Sequence, residues 1–375
     1  MKRTFLTALL VALLMALLMA TLTPALRAET LPGFSVRKVA AAKGFLTSIA
    51  FDDQDRLFYS SRSGEVFRLD GTTSTRVALV PTANIGNAAL LGIAFTKPDE
   101  IVAHYVVPDL SADILTSVNL GAGDKADQKE LVRFVCDEGR PCPSEHHGGN
   151  LIVAPNGDIF FGIGDYGGGL VAQEPESTGG KIFRVSPDGE AKIFALGLRN
   201  PFDMALDPTN GKLLISDNGP VGGDEIDAAS SGDNLGWPFT VGTNDPIGGD
   251  VPPIYTFPQT VAPTGVFYVK GPKPMAPGGL LVTAFVTKTL YYFPNIHLAT
   301  IPQPLELVRG ETDELIDVAQ NSRGEIFFAS GTGIYQLILP RAGDANGDGF
   351  VNDDDLAALA HEIQDSDGER AVNAQ

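Results

Sequence analysis

Asn150-Leu-Ile-Val-Ala154, Pro155-Asn-Gly-Asp158 and Ile159-Phe-Phe-Gly162 read as a strand, a tight turn and a returning strand. Short apolar runs rich in Ile, Val and Phe, hinged on an Asn-Gly-Asp turn, are the signature of a β-hairpin. Lys181-Ile-Phe-Arg-Val185 adds a third strand. Working outward, the unit recurs upstream as Leu46–Phe51, Arg56–Tyr59 and Gly64–Leu69, then as Leu90–Phe95 and Ile101–Val106. Downstream it returns as Asp203–Asp207, Lys212–Ser216 and Asp224–Asp227, as Gly265–Val269, Leu280–Thr283 and Thr289–Phe293, and as Leu315–Ala319, Glu325–Ala329 and Gly333–Leu337. Six copies at a period of about fifty residues predict an all-β, six-bladed β-propeller. Period-two alternation excludes a helical solenoid, and a β-sandwich leaves the repeat unexplained. Phe34–Val39 is expected to close the ring beside the sixth unit. Residues 108–145 and 238–263 are expected as long inserts at one mouth of the channel.

The chain has 375 residues, 42 of them glycine and 26 proline, set between strands as punctuation. Lys2-Arg3, an apolar run from Phe5 to Ala20, and small residues through Ala28 read as a secretory signal, in preference to an uncleaved anchor. The expected organisation is a signal peptide at 1–28, the propeller at 29–340 and a tail at 341–375. Export implies a secreted or periplasmic protein, free of the membrane once the signal is cleaved. Cys136 and Cys142 are the two cysteines, expected to close a small disulfide loop in an oxidising compartment. A formal charge of -19 argues against nucleic acid as a partner and is compatible with calcium.

The tail carries its own signal. Asp344, Asn346, Asp348, Asn352 and Asp355 stand at the first, third, fifth, ninth and twelfth places of a calcium loop. Gly349 holds the sixth place and Phe350 offers its carbonyl at the seventh. Leu356, Leu359, Ala360 and Ile363 then repeat at helical spacing. This loop-helix resembles a single type I dockerin repeat, which implies a Ca²⁺-binding tail for a protein or cell-surface partner.

Chemistry-bearing residues cluster between the second and fifth units. In Glu145-His146-His147-Gly148-Gly149 an imidazole precedes two glycines, which suits a general base near neutral pH. Arg199-Asn200-Pro201 sets a permanent cation beside an amide. Asn218-Gly219-Pro220 and Asp224-Glu225-Ile226 offer carbonyls and carboxylates to a hard cation. Taken singly, each is equally a turn or a blade cap, and Trp237 in Asn234-Leu-Gly236-Trp237-Pro238 is equally core packing.

In one order, these motifs resemble the soluble quinoprotein glucose dehydrogenases and aldose sugar dehydrogenases, the glucose/sorbosone dehydrogenase group, over residues 34–340. Leu91-Gly-Ile-Ala-Phe95, Gly162-Ile-Gly-Asp165, Gly180-Lys-Ile-Phe-Arg184 and Thr260-Val-Ala-Pro263 belong to the same resemblance. It implies a six-bladed propeller that binds pyrroloquinoline quinone and Ca²⁺ and oxidises the C1 hydroxyl of cyclic aldoses to lactones. Within it, His146 is the base, while His147 holds a variable position where substitution should be mild. Arg199 and Asn200 meet the quinone oxygens, and Asn218, Asp224 and Thr260 belong to the cofactor pocket. Asn87 and Asp165 face the substrate. The carbonyls of Gly219 and Pro220 ligate calcium, and Glu225 ligates a second, structural calcium. The chain departs from the family at Val286, Glu314 and Ile316, which stand where a Lys and two Arg contact the cofactor carboxylates. The departure implies weak cofactor binding and keeps a second reading open, a propeller that binds a ligand without turnover. A lactonase-type calcium hydrolase is a third reading that the channel motifs fit less well.

Overall fold

The computed structural model describes residues 29–31, 33–120, 127–136, 142–242, 249–270, 275, 278–310 and 313–340. The signal segment and the calcium-loop tail lie outside the described residues. Two strands come first, β1 (Glu29–Thr30) and β2 (Ser35–Ala41). Blade 1 is β3 (Leu46–Phe51), β4 (Leu57–Ser61), β5 (Glu65–Asp70) and β6 (Thr73–Leu79). Blade 2 is β7 (Leu90–Lys97), β8 (Glu100–Val106), β9 (Ala112–Asn119) and β10 (Gln128–Val135). Blade 3 is β11 (Leu151–Val153), β12 (Ile159–Ile163), β13 (Lys181–Val185) and β14 (Ala191–Leu196). Blade 4 is β15 (Pro201–Leu206), β16 (Leu213–Asp217), β17 (Glu225–Ala229) and β18 (Tyr255–Thr256). Blade 5 is β19 (Pro263–Tyr268), β20 (Leu280–Ala284), β21 (Thr289–Phe293) and β22 (Leu305–Arg309). Blade 6 is β23 (Leu315–Gln320), β24 (Ile326–Ser330) and β25 (Gly333–Ile338).

Each blade is an antiparallel meander, and β2 pairs with β25 from Ser35 opposite Ile338 to Ala41 opposite Gly333, closing the ring. The six-bladed propeller is therefore built as the repeat predicts. Strand β1 extends blade 5 beyond β22, an addition the repeat does not announce. Residues 108–145 are not the plain insert expected. Ala112–Asn119 and Gln128–Val135 complete blade 2, and all but two residues of β9 are buried beneath their neighbours.

The inner strands β3, β7, β11, β15, β19 and β23 ring the axis. Strands β4, β12, β16, β20 and β21 are buried throughout, because each blade is covered on both faces. Apolar residues therefore occupy both faces of these strands, as in Ile159-Phe-Phe-Gly-Ile163. The core accordingly lies between blades. Leu115 and Phe134 of blade 2 meet Leu151, Phe161 and Phe183 of blade 3, and comparable clusters fill the other five seams.

Two acids sit on the inner strands. Asp317 Oδ2 accepts the Ile49 N–H at 2.7 Å, and Asp203 Oδ2 accepts the Val266 N–H at 2.8 Å, each tying its blade to the next. Burial pushes the Asp317 carboxyl up to about 7, and burial with the neighbouring Asp317 charge pushes Asp203 well above the carboxylate range. An acid whose folded pKa is raised holds extra protons in the folded state between its unfolded and folded values. Stability should therefore fall as pH climbs from about 4 through about 7. Calorimetric melting across that range tests this; a flat profile would contradict it.

Candidate functional site

Among the described residues, one of two cavities on the propeller axis opens where the six inner strands begin; the other, of about 400 Å³, lies further along the same strands, between Ile49, Ile93, Ile152, Met204, Phe267 and Val318. The first encloses about 280 Å³ and is lined by the strand-entry residues Phe45, Asn87, Gly148, Asn200, Ala262 and Ile316. Arg62, Asn218 and Phe285 complete the wall from turns further out in their blades. The histidine loop reaches this mouth because of its glycines. A Cβ on Gly148 would lie 2.2 Å from the Gly162 carbonyl oxygen, and one on Gly149 2.2 Å from that of Phe202. The loop thus rests directly on the backbones of blades 3 and 4.

His146 sits on this loop with φ 54°, a left-handed backbone uncommon for a residue with a side chain. Its Nδ1 lies 2.6 Å from Asp165 Oδ1. The other Asp165 oxygen accepts Trp237 Nε1–H at 2.8 Å and the Gly169 N–H at 3.1 Å, and Oδ1 also accepts the Gly167 N–H at 2.8 Å. Burial alone would push the Asp165 carboxyl up, but the bonds from His146, Trp237 and Gly167 outweigh it and hold it below its ordinary value. An anionic Asp165 takes the Nδ1 proton in its hydrogen bond and leaves Nε2 with its lone pair, the tautomer a base needs. Trp237 is in turn held by Gln173, whose Nε2 donates to the Trp237 carbonyl at 2.6 Å. Asp165, expected at the substrate, is buried and hydrogen-bonds His146.

The residues expected at the substrate or the cofactor divide. Asn87, Asn200 and Asn218 line the cavity. Asn200 Oδ1 accepts the Gly148 N–H at 3.1 Å, which fixes the histidine loop to blade 4. Arg199 Nη1 donates to the carbonyls of Asn218 at 2.7 Å and Gly219 at 3.0 Å, and the guanidinium lies 5.7 Å from the Trp237 ring. Asp224 and Thr260 are not in the wall. Asp224 accepts the N–H groups of Gly219, Val261 and Ala262, and Thr260 Oγ1 accepts that of Gly222. Asp224 Oδ1 and Thr260 brace the Gly219–Gly222 turn, and Asp224 Oδ2 holds the Val261-Ala262 backbone against it. The Pro220 carbonyl accepts the Gly223 N–H, while the Gly219 carbonyl already faces a cation, Arg199 itself.

Behind Arg199 lies a group that motif reading left incomplete. Asp217, Glu225 and Asp227 are buried, with carboxylate oxygens within 4.8 Å of one another. Asp217 and Glu225 are paired across β16 and β17, and Asp227 follows two places along the same face. That i, i+2 spacing was the available signal. Asp217 accepts the N–H groups of Arg199 and Asn200 at 2.8 and 2.6 Å. Among the described residues neither oxygen of Asp227 has a hydrogen-bond partner. Burial raises Asp217 to about 6, and burial with the Asp217 charge raises Glu225 to about 8. Three buried carboxylates, one with orphaned oxygens, fit a hard divalent cation such as Ca²⁺. At Ca²⁺ about a hundredfold above its dissociation constant, the propeller should gain about 2.7 kcal/mol, read as a rise in melting temperature. Asp227→Asn should shrink that rise, and an identical rise in the variant would remove the triad from calcium binding.

The far wall of the cavity fits a tricarboxylate quinone poorly. Phe285 and Ile316 present apolar surface there; Val286 and Glu314, next in sequence to lining or strand-entry residues, are not in the lining. Among the described residues Arg62 is the one charged side chain in the lining, and its guanidinium is engaged by Asn84 Oδ1 and the Gly86 carbonyl.

A profile of the Glucose / Sorbosone dehydrogenase family matches residues 46–336. The chain belongs to this family. It is 33% identical over 108 residues to aldose sugar dehydrogenase YliI of Escherichia coli, covering 25% of this chain and 29% of that protein. It is 33% identical over 141 residues to quinoprotein glucose dehydrogenase B of Acinetobacter calcoaceticus, covering 29% of each. The matched stretches thus span less than a third of either relative. The PQQ-bound aldose sugar dehydrogenase of Streptomyces coelicolor superposes with a TM-score of 0.71 at 24% identity, over 82% of this chain and 99% of that one, which supports the propeller fold. Among the described residues no helix is long and apolar enough to cross a membrane.

Proposed function

We propose that the chain is an exported sugar dehydrogenase-like protein in which His146 takes the proton from the C1 hydroxyl of a cyclic aldose. The observation that carries this is the His146–Asp165–Trp237 chain, a base held in one tautomer on the loop whose Gly148 and Gly149 line the cavity. Oxidation to the lactone removes that proton and, with two electrons, the hydrogen on C1, for which an acceptor of the quinone class is required. Asn200 and Asn218 offer amide groups at the cavity wall to orient the polar ligand. Calcium at Asp217, Glu225 and Asp227 would stiffen the strand ends that carry Arg199 and Asn200, and the Gly219 and Pro220 carbonyls would meet an ion only after Arg199 and Gly223 release them. The tail loop at Asp344–Asp355 adds a proposed calcium site and a means of holding a protein or cell surface.

The apolar wall at Phe285 and Ile316 favours a second reading, a propeller that binds a sugar without turnover. Dye reduction by the full chain with a panel of aldoses, excess pyrroloquinoline quinone and Ca²⁺ separates the two. Sugar-dependent reduction supports the dehydrogenase; sugar binding without reduction would leave only the binding module.

A further inference from the structure

Asp113, on β9, lies fully buried beside the histidine loop and is in the lining of neither axial cavity. His147 Nδ1 stands 3.1 and 3.0 Å from its two oxygens. Tyr166 donates its hydroxyl to Oδ2 at 3.2 Å, His104 Nε2 lies 3.4 Å from Oδ1, and Cys136 Sγ lies 3.8 Å from Oδ2. The second nitrogen of His147, Nε2, lies 2.6 Å from the Pro143 carbonyl oxygen. A carboxylate and a carbonyl only accept, so these contacts are both satisfied when each ring nitrogen of His147 carries a proton, as in an imidazolium. Burial opposes that charge, but the Asp113 carboxylate outweighs it and raises His147 above its ordinary value.

The loop is tied down on both sides of the base. His104 Nδ1 donates to the Gly149 carbonyl at 3.0 Å after His146, and Cys142, joined to Cys136, donates its N–H to the Leu110 carbonyl before it. Between these ties His146 is held in a backbone region that persists only where its surroundings determine it. His147, expected to be a mild position, is wholly enclosed.

We propose that His147, clamped as an imidazolium between Asp113 and the Pro143 carbonyl, is the positioning residue that keeps His146 against Asp165. This rests on the base role given to His146, but the clamp itself can be read without any sugar. The groups facing His147 are Asp113 from β9, Tyr166 from the loop after β12 and the Pro143 carbonyl; His104 reaches it through Asp113, and neighbouring Glu145 is exposed. Removing the proton breaks one of two bonds, so the loop loosens at alkaline pH while His146 itself needs no proton on Nε2.

Nitrogen-15 NMR of the full chain, labelled at histidine, tests this. Both His147 nitrogens should read as protonated at pH 7 and stay so in His146→Ala. In Asp113→Asn, His147 should lose one proton at pH 7, and the His146 Nδ1 proton bonded to Asp165 should exchange faster with water. Asp113→Glu should restore both signals in part. Where turnover is measurable, Asp113→Asn should lower kcat about a hundredfold with little change in KM and move the alkaline limb of the pH profile down. A His147 ring protonated on one nitrogen at pH 7 in the unaltered protein would overturn the proposal, whether or not the variants fold. An unchanged His146 signal in a folded Asp113→Asn would overturn it as well.

Discussion

Replacing His146 with alanine is expected to lower turnover by about two to four orders of magnitude, the usual contribution of a general base. The side chain is partly exposed and its one hydrogen bond is to Asp165, so its loss should leave the melting temperature nearly unchanged. Asp165→Asn should resemble it in rate, because an amide can donate to Nδ1 and favour the wrong tautomer. His147→Ala should behave differently, with loss of rate and of stability together, since it leaves Asp113 buried beside an emptied site. Steady-state rates set beside melting curves for the three variants separate a base from its supports. A His146→Ala protein that keeps full turnover would show that the proton leaves by another route.

Weak binding of pyrroloquinoline quinone is the second large effect expected. Charge-assisted hydrogen bonds contribute roughly 1.5–3 kcal/mol each, so apolar or acidic residues at Val286, Glu314 and Ile316 should together weaken binding by several orders of magnitude. Among the described residues Arg62 is the cation left in the wall, and it is already bonded to Asn84 and Gly86. Val286→Lys combined with Glu314→Arg should therefore tighten binding, and Arg62→Ala should weaken whatever remains. Calorimetric titration in Ca²⁺ measures all three. Tight binding by the unaltered chain would show that the cavity supplies anchors other than these.

The fold was legible because the propeller repeats its own pattern: each strand-turn-strand unit carries the same apolar alternation, and ring closure by Ser35–Ala41 follows from its spare strand. Strand β9 was harder to see, since Asp113, Thr116 and Ser117 break its apolar run, yet its burial depends on partners supplied by blade 3. The site was legible where motifs place backbone, as at His146, Gly148 and Asn200. It was obscure where side chains meet across blades. Asp113 with His147, and Trp237 with Asp165, are separated by 34 and 72 residues, and no local spacing marks them. Asp224 and Thr260 stand in the motif, yet their bonds to the backbone N–H groups of Val261 and Gly222 are again made to distant segments that no local spacing marks.

The most direct measurement follows the hydrogen on C1. A cyclic aldose carrying deuterium at C1 is incubated with the full chain, Ca²⁺, excess pyrroloquinoline quinone and an electron-accepting dye, and the sugar is analysed by mass spectrometry. A lactone without the deuterium should form, about two to four orders of magnitude more slowly with His146→Ala. Labelled aldose recovered intact, across a panel of sugars that bind, would contradict oxidation at this site.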